Sequence, residues 1–387
     1  MKFETKAIRI QTDRSQHKEH STPIFPTSSF VFDSAEQMQN VFKGEEQGNI
    51  YSRFTNPSVR EFEMKLSALE GTEECVATAS GMAAVFASFV AILKTGDHII
   101  SSRTIFGSTF QVLSQTLLDY GIECDFIDDD KPATWSEVLR PNTKMFYLET
   151  PTNPGLNICD LERISKFCKT NNLLFAVDNC FASPYLQNPL KFGADIIIHS
   201  ATKFIDGQGR VLGGAVCSRK EITDQIFQFI RRTGASLSPF NAWVLSKSLE
   251  TLAVRLDRHC SNAMELANRL ESHSKVKNIR YPHLKSHPQF ELAKKQMSQG
   301  GGIITFEYVG SESDGLKFLN QLKLISLTAN LGDSRTIASH PASTTHLRVP
   351  AEEKLLMGVT NNLIRISVGL EHIDDIHADI IQALDIL

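Results

Sequence analysis

Apolar residues along this chain follow two rhythms. From about residue 72 to 250, short runs rich in β-branched and aromatic residues recur at 74–79, 98–101, 123–127, 144–149, 173–177, 195–199 and 213–217. Helical spacing separates most of them. LLFAV and DIIIH are apolar almost throughout, as strands buried on both faces are. The alternation predicts an α/β fold, with a mainly parallel seven-stranded sheet covered by helices on both faces. Ahead of it, VREFEMKLSALE carries Val59, Phe62, Leu66 and Leu69 at helical spacing. Asn56 is placed to cap that helix, Pro57 to open it and Gly71 to end it. Residues 1–55 hold Pro23, Pro26 and many Ser and Thr with no sustained period, which predicts an extended arm and a first clear helix at Asn56. From 251 a long helical pattern leads to the strand-like VKNIRY, to IITFEY behind Gly300, Gly301 and Gly302, and to a terminal helix HIDDIHADIIQALDIL. The predicted organisation is an arm over 1–55, an α/β domain over 56–250 and a smaller α+β domain over 251–387.

Composition narrows the function classes. The 387 residues fit two or three domains at roughly 150 residues each. Apolar residues make up 41% and charged residues 22%, which excludes wholesale disorder. Lys and Arg total 40 against 44 Asp and Glu, a net charge of −4, so a dominant nucleic-acid footprint is not expected. The seven cysteines form no Cys-x-x-Cys pair and their number is odd, which points to reduced thiols in the cytoplasm. The polar start has no signal-peptide core. The uncharged stretch 75–93 is broken by Thr78, Ser80, Gly81 and Ser88, and predicts a buried strand, a turn and a buried helix, not a membrane span. The histidines have no metal-ligand spacing, so no metal site is expected.

In parallel α/β sheets ligands bind beyond the carboxyl ends of strands. One such end carries Asp178, a carboxylate that is costly there unless it is paired or hydrogen-bonded. Another presents His199, Ser200, Thr202 and Lys203, and a lysine partly desolvated there favours its neutral, nucleophilic form. A third, Ser80-Gly81-Met82, opens a helix whose N–H groups suit an anion. Any one of these has a bland reading: a solvated lysine, a capping aspartate, a plain turn. Together they suit pyridoxal 5'-phosphate, which needs a lysine for its aldehyde, a carboxylate for its ring nitrogen and donors for its phosphate.

The motifs YSRFTNP (51–57), ATASGMAA (77–84), ETPTNP (149–154), VDN (177–179), HSATK (199–203) and IRISVGLE (364–371) stand in the order found in the cystathionine synthase/lyase group. The chain resembles that trans-sulfuration family of fold-type I pyridoxal-phosphate transferases from the arm to the last helix. The resemblance implies that Lys203 forms the Schiff base and shuttles protons, that Asp178 pairs with the ring nitrogen, and that Asn153 touches the cofactor's 3'-oxygen. It implies that Gly81, Met82, Ser200 and Thr202 hold the phosphate. Tyr51 and Arg53 would reach into a neighbouring subunit's site, with Tyr51 able to share acid–base duty, in a homotetramer built as a dimer of dimers. Arg365 would grip the substrate's α-carboxylate, with Asn330 of TANLGD (328–333) beside it.

Within the family the chain departs at three positions. Phe106 of RTIFGST stands where synthases and lyases usually stack a tyrosine, so stacking is kept and the phenol hydroxyl is absent. Phe54 and Gln111 stand where similar bacterial cystathionine synthases carry arginines, which weakens the case for cysteine as second substrate. The pattern is most similar to the branch that adds sulfide to O-succinylhomoserine. The expected reaction is γ-replacement on an O-acylhomoserine by sulfide or a small thiol, giving homocysteine. Cystathionine γ-synthase, cystathionine or methionine γ-lyase, an aminotransferase and a non-catalytic cofactor-binding scaffold are the alternatives.

Overall fold

A computed structural model describes residues 1–128 and 131–386; Leu387, the end of the predicted terminal helix, lies outside the described residues. The large sheet has seven strands: β1 (Glu74–Thr78), β2 (His98–Ser102), β3 (Glu123–Ile127), β4 (Thr143–Glu149), β5 (Leu174–Asp178), β6 (Ile196–His199) and β7 (Gly214–Ser218). Their spatial order is β1-β7-β6-β5-β4-β2-β3. β2 to β6 pair in parallel, and β7 runs antiparallel to both β1 and β6. All the parallel strands therefore end on one side, and β1 ends there too.

Both faces of the sheet are buried, which explains its continuous apolar runs. Phe146, Leu148, Phe175, Val177 and Ile197 face one helical layer, while Met145, Tyr147, Ala176, Ile196 and Ile198 face the other. Successive side chains on a strand point to opposite faces, so a strand with a core on each side has no polar face to alternate with.

The first predicted helix forms as Pro57–Glu70. The Asn56 side chain accepts the Ser58 N–H at 2.9 Å, Pro57 opens the helix, and Gly71 ends it at φ +81°. The arm, however, is not extended throughout. It contains α1 (Phe3–Arg9) and α2 (Ala35–Lys43), and Pro57–Glu70 is therefore α3. Ser34 caps α2 by accepting the Gln37 N–H, and Gly44 ends it at φ +78°. Periodicity does not reveal these helices because α1 and α2 bury one residue each, Ala7 and Val41. A short helix with so little buried surface leaves no apolar stripe in the sequence. Residue 75 onward forms β1 followed by α4 (Gly81–Val90), and no helix among the described residues is long and apolar enough to cross a membrane.

A second sheet forms from β8 (Val276–Arg280), β9 (Ile303–Tyr308), β10 (Ser326–Leu327), β11 (Ile337–Ser339) and β12 (Leu363–Ser367), in the order β10-β11-β12-β9-β8. The helices Leu252–Glu271 and Ile373–Leu384 pack on it around Ile304, Phe306, Ile364 and Ile366. β12 is central, pairing with β9 and β11. That position brings Arg365 to face the strand ends of the large sheet.

Candidate active site

Three neighbouring strand ends build the floor. β4 ends on Glu149 and β5 on Asp178, residues that are register partners, and β6 ends on His199, just ahead of Ser200. Asp178 is thus the last residue of its strand, which runs one position beyond the end predicted from the apolar run. They open into a cavity of about 410 Å³, lined also by Gly81, Met82, Phe106, Asn153, Ser200, Thr202, Lys203 and Arg365. More open grooves of about 780 and 930 Å³ lie elsewhere, lined by surface lysines such as Lys191 and Lys295.

Lys203 Nζ donates to Asn330 Oδ1 at 2.6 Å. Burial, with Arg365 nearby, lowers its pKa and favours the free amine. The approach depends on Gly332 at φ +75°: a Cβ there would stand 2.9 Å from the Lys203 carbonyl carbon, so only glycine lets the TANLGD loop lie against the lysine. Asp178 accepts the Cys180 N–H at 3.0 Å, and burial raises its carboxyl to about 6. Arg365 is 1% exposed, and donates to Asn153 Oδ1 at 2.8 Å and to the Asn330 carbonyl at 3.2 Å. Burial draws its guanidinium down to about 10.

Glu149 is a further member of the site, present in the ETPTNP motif but without a role assigned from sequence. It is 3% exposed, and its Oε2 accepts the Phe106 N–H at 2.8 Å, which ties the aromatic ring's backbone to the floor. Burial and the adjacent Asp178 push its pKa well up, while Arg365 opposes the shift. Cys180, Ser108, Thr109 and Thr345 also line the cavity. Only the adjacency of Ser108 and Thr109 to Phe106, and of Cys180 to Asp178, marks them in the sequence.

Tyr51 and Arg53 are not brought into this cavity. Tyr51 is 42% exposed, and the Arg53 guanidinium lies 4.7 Å from the Phe54 ring centroid and donates to the Arg231 carbonyl. Among the described residues no group of three or more His, Cys, Asp or Glu is placed to hold a metal.

The residues present fit a phosphorylated aldehyde. Ser80 caps α4 by accepting the Ala83 N–H at 3.1 Å, and the first turn of the helix lies against Ser200. A Cβ on Gly81 would come within 2.9 Å of Ser200 Cα, so the close approach of the two loops requires glycine. The Thr202 hydroxyl bridges to Gly213 and fixes the same loop. A lysine with a depressed pKa, a buried carboxylate and an anion cradle thus meet in one cavity.

A family model for Cys/Met metabolism PLP-dependent enzymes matches residues 4–385. The chain belongs to that family. This trans-sulfuration enzyme is 43% identical over 382 residues to an O-succinylhomoserine sulfhydrylase of Pseudomonas aeruginosa, covering 99% of this chain and 95% of the relative. It is 44% identical over 385 residues to an L-methionine gamma-lyase of Fusobacterium nucleatum subsp. polymorphum, covering 98% and 97%. A Campylobacter jejuni structure, assigned as an O-acetylhomoserine (thiol)-lyase, matches with a TM-score of 0.96 at 34% identity over all of both chains, and carries N'-pyridoxyl-lysine-5'-monophosphate. The present enzyme is a fold-type I, pyridoxal-phosphate-dependent enzyme of carbon–sulfur chemistry.

Proposed function

We propose that this trans-sulfuration enzyme catalyses γ-replacement on an O-acylhomoserine, O-succinylhomoserine being favoured, with sulfide as nucleophile and homocysteine as product. The observation that carries this reading is the cavity's cation set: Arg365 and Lys203 are the cations in its lining. With Lys203 engaged in the chemistry, Arg365 is left to hold a single α-carboxylate, and nothing in this lining clamps a second amino acid. Phe54 and Gln111, neutral where similar cystathionine synthases carry arginines, agree with a small nucleophile.

In this reading Lys203, Asp178, Asn153, Phe106, Gly81, Met82, Ser200 and Thr202 hold the cofactor. Pyridoxal phosphate, when bound, supplies an electron sink for the pair left at Cα after proton removal. The Lys203 amine, its pKa lowered by burial, takes the Cα proton and returns protons on the Cγ side. Arg365 holds the α-carboxylate so that the Cα–H bond keeps a fixed orientation. Phe106 covers the ring with an aromatic face but offers no hydroxyl, which leaves proton transfer to Lys203 or to Tyr51 of a neighbouring copy. A Cβ proton is removed as well, its electron pair expels the acyl carboxylate as the Cγ–O bond breaks, and hydrosulfide then forms the Cγ–S bond while the protons return to Cβ and Cα.

A second reading, methionine γ-lyase, is favoured by the 44% identical relative of that name. One pair of assays separates them. With O-succinylhomoserine and sulfide, homocysteine is expected as the main product. Methionine is expected to turn over poorly; rapid release of methanethiol, ammonia and 2-oxobutanoate from methionine, with little homocysteine in the first assay, would assign the lyase.

The outward placement of Tyr51 and Arg53 supports a role across a subunit interface, with residues 1–55 acting as an arm in a homotetramer of two dimers. Arg53→Ala is then expected to weaken cofactor retention roughly tenfold, the scale of one charge-assisted hydrogen bond to a phosphate, while the chain stays folded. Dialysis against free cofactor, run beside sizing at falling concentration, checks this; a fully active monomer would exclude the arm's role. Among the described residues none of the seven cysteines is joined in a disulfide, which supports a reducing, cytoplasmic setting.

A further inference from the structure

Phe106, the residue read above as covering the cofactor's ring, has no polar atom in its side chain. Packing and its own backbone alone fix where the aromatic face lies. It stands between β2 and α5 (Gly107–Gln111), at the N-cap position of that helix, and makes no side-chain capping bond. Its side chain is only half-buried. Two contacts hold the backbone instead. From the sheet below, Glu149 Oε2 accepts the Phe106 N–H at 2.8 Å. From the other side, the turn that begins at Thr345 lies against Gly107. A Cβ there would stand 2.9 Å from the Thr345 carbonyl oxygen, so an approach this close requires glycine.

The contact from below is a costly one. Glu149 is 3% exposed and is the register partner of Asp178, so the two carboxyl groups stand side by side on one face of the sheet. Buried acids so placed repel each other, and each needs a donor of its own. Asp178 has the Cys180 N–H at 3.0 Å, and Glu149 has the Phe106 N–H. An apolar residue at 149 would remove the repulsion, but it would also leave the Phe106 N–H without this acceptor. The ladder between β4 and β5 fixes the spacing of the two carboxyl groups, because Met145 to Glu149 pair in unbroken register with Leu174 to Asp178. One residue at the end of that ladder is the acid read as meeting the ring nitrogen. Its partner holds the residue read as covering the ring's face.

We propose that Glu149 is a positioning residue for Phe106: its carboxylate anchors the backbone of the stacking residue to the strand pair that carries Asp178, and so sets the gap that the cofactor's ring fills. The proposal rests on the roles given above to Phe106 and Asp178. It gives the acid of the ETPTNP motif a function in the site. It also explains how a side chain without a hydroxyl serves at 106, since its orientation comes from the main chain.

The test uses the full chain loaded with pyridoxal phosphate. The wild type is compared with Glu149→Gln, Glu149→Asp, Phe106→Leu and the two double variants. Glu149→Gln keeps the reach to the Phe106 N–H and loses the charge; Glu149→Asp keeps the charge and is one methylene too short. The readouts are the visible circular dichroism of the bound cofactor, its dissociation constant by dialysis, and the split between kcat and KM with O-succinylhomoserine and sulfide. Glu149→Asp should alter the dichroism and raise the dissociation constant roughly tenfold, the scale of one charge-assisted hydrogen bond. Its kcat should fall with little change in KM. Glu149→Gln should move every readout the same way but less, by roughly threefold, because a neutral acceptor bonds about half as strongly. Added to Phe106→Leu, either substitution should cost little more, since the anchor acts through the ring it holds. Should Glu149→Asp fail to load, Glu149→Gln with and without Phe106→Leu decides by the same comparison. Losses from Glu149→Asp no larger than those from Glu149→Gln, or losses that add in full to those of Phe106→Leu, would overturn the anchor. A Phe106→Leu protein with the wild-type dichroism and dissociation constant would overturn the stacking role itself, and the anchor with it.

Discussion

Lys203→Ala is expected to abolish turnover, by at least about 10⁴-fold, because the one side chain placed to bind the cofactor covalently and to move the Cα proton is gone. Folding should survive. The lysine is a largely buried amine shifted toward its neutral form, and its side chain bonds Asn330, so truncation carries little stability penalty. The variant should therefore melt near the wild type and still retain some cofactor without a covalent link. Borohydride reduction followed by peptide mass analysis checks the link directly: the wild-type peptide containing residue 203 should carry the pyridoxyl group, and the variant peptide should not. Appreciable sulfhydrylation by Lys203→Ala would end the proposed mechanism. A non-catalytic scaffold is also discriminated, since a scaffold would keep its binding duty in this variant.

Arg365→Ala should have the next largest effect. The guanidinium is fully buried, its two Nη groups are fixed by Asn153 and by the Asn330 carbonyl, and the negative charge nearby is Glu149. Removing one member of a buried, hydrogen-bonded charge set costs about 2–5 kcal/mol, or roughly 30- to 5,000-fold in kcat/KM for a substrate held by its carboxylate. Much of the loss should appear in KM. Arg365→Lys keeps the charge but not the planar fork that spans two acceptors, so it should recover only part of the activity. Steady-state kinetics with O-succinylhomoserine read the split; an unchanged KM in both variants would place the carboxylate elsewhere. Cofactor absorbance recorded on the same samples shows whether the loss lies in substrate binding or in cofactor binding.

Legibility in the sequence follows burial. Strands β4 and β6 lie within a residue of the apolar runs that predict them, because a strand with a core on each face can carry few polar residues. α3 has the predicted bounds, since its cap, its proline and its terminal glycine all act locally. α1 and α2 leave no comparable stripe. Among site residues, Lys203 and Asp178 stand out as charged groups at the ends of apolar strands. Glu149 does not, although it ends β4 in the same way, because its partners Phe106 and Arg365 lie 43 and 216 residues away in sequence. Glu70, outside the site, is hidden more completely. On its own helix it reads as an ordinary last-turn carboxylate, and only the packing of α3 beneath β6 shows that it is fully buried against His199.

The order of motifs and the alternation of strand and helix were sufficient to set the fold class, the family and the cofactor. Those properties depend on short-range patterns: the pleat of a strand, the pitch of a helix, the residue after a strand end. Which charges face one another is another matter. That Arg365 reaches Asn153 from a different sheet, that Gly332 lets a distant loop rest on Lys203, and that Tyr51 and Arg53 turn away from this chain's own cavity were decided by tertiary structure alone. Coulomb and hydrogen-bond energies depend on distance in space and on the loss of water around a group, and a linear sequence encodes neither until the chain has packed.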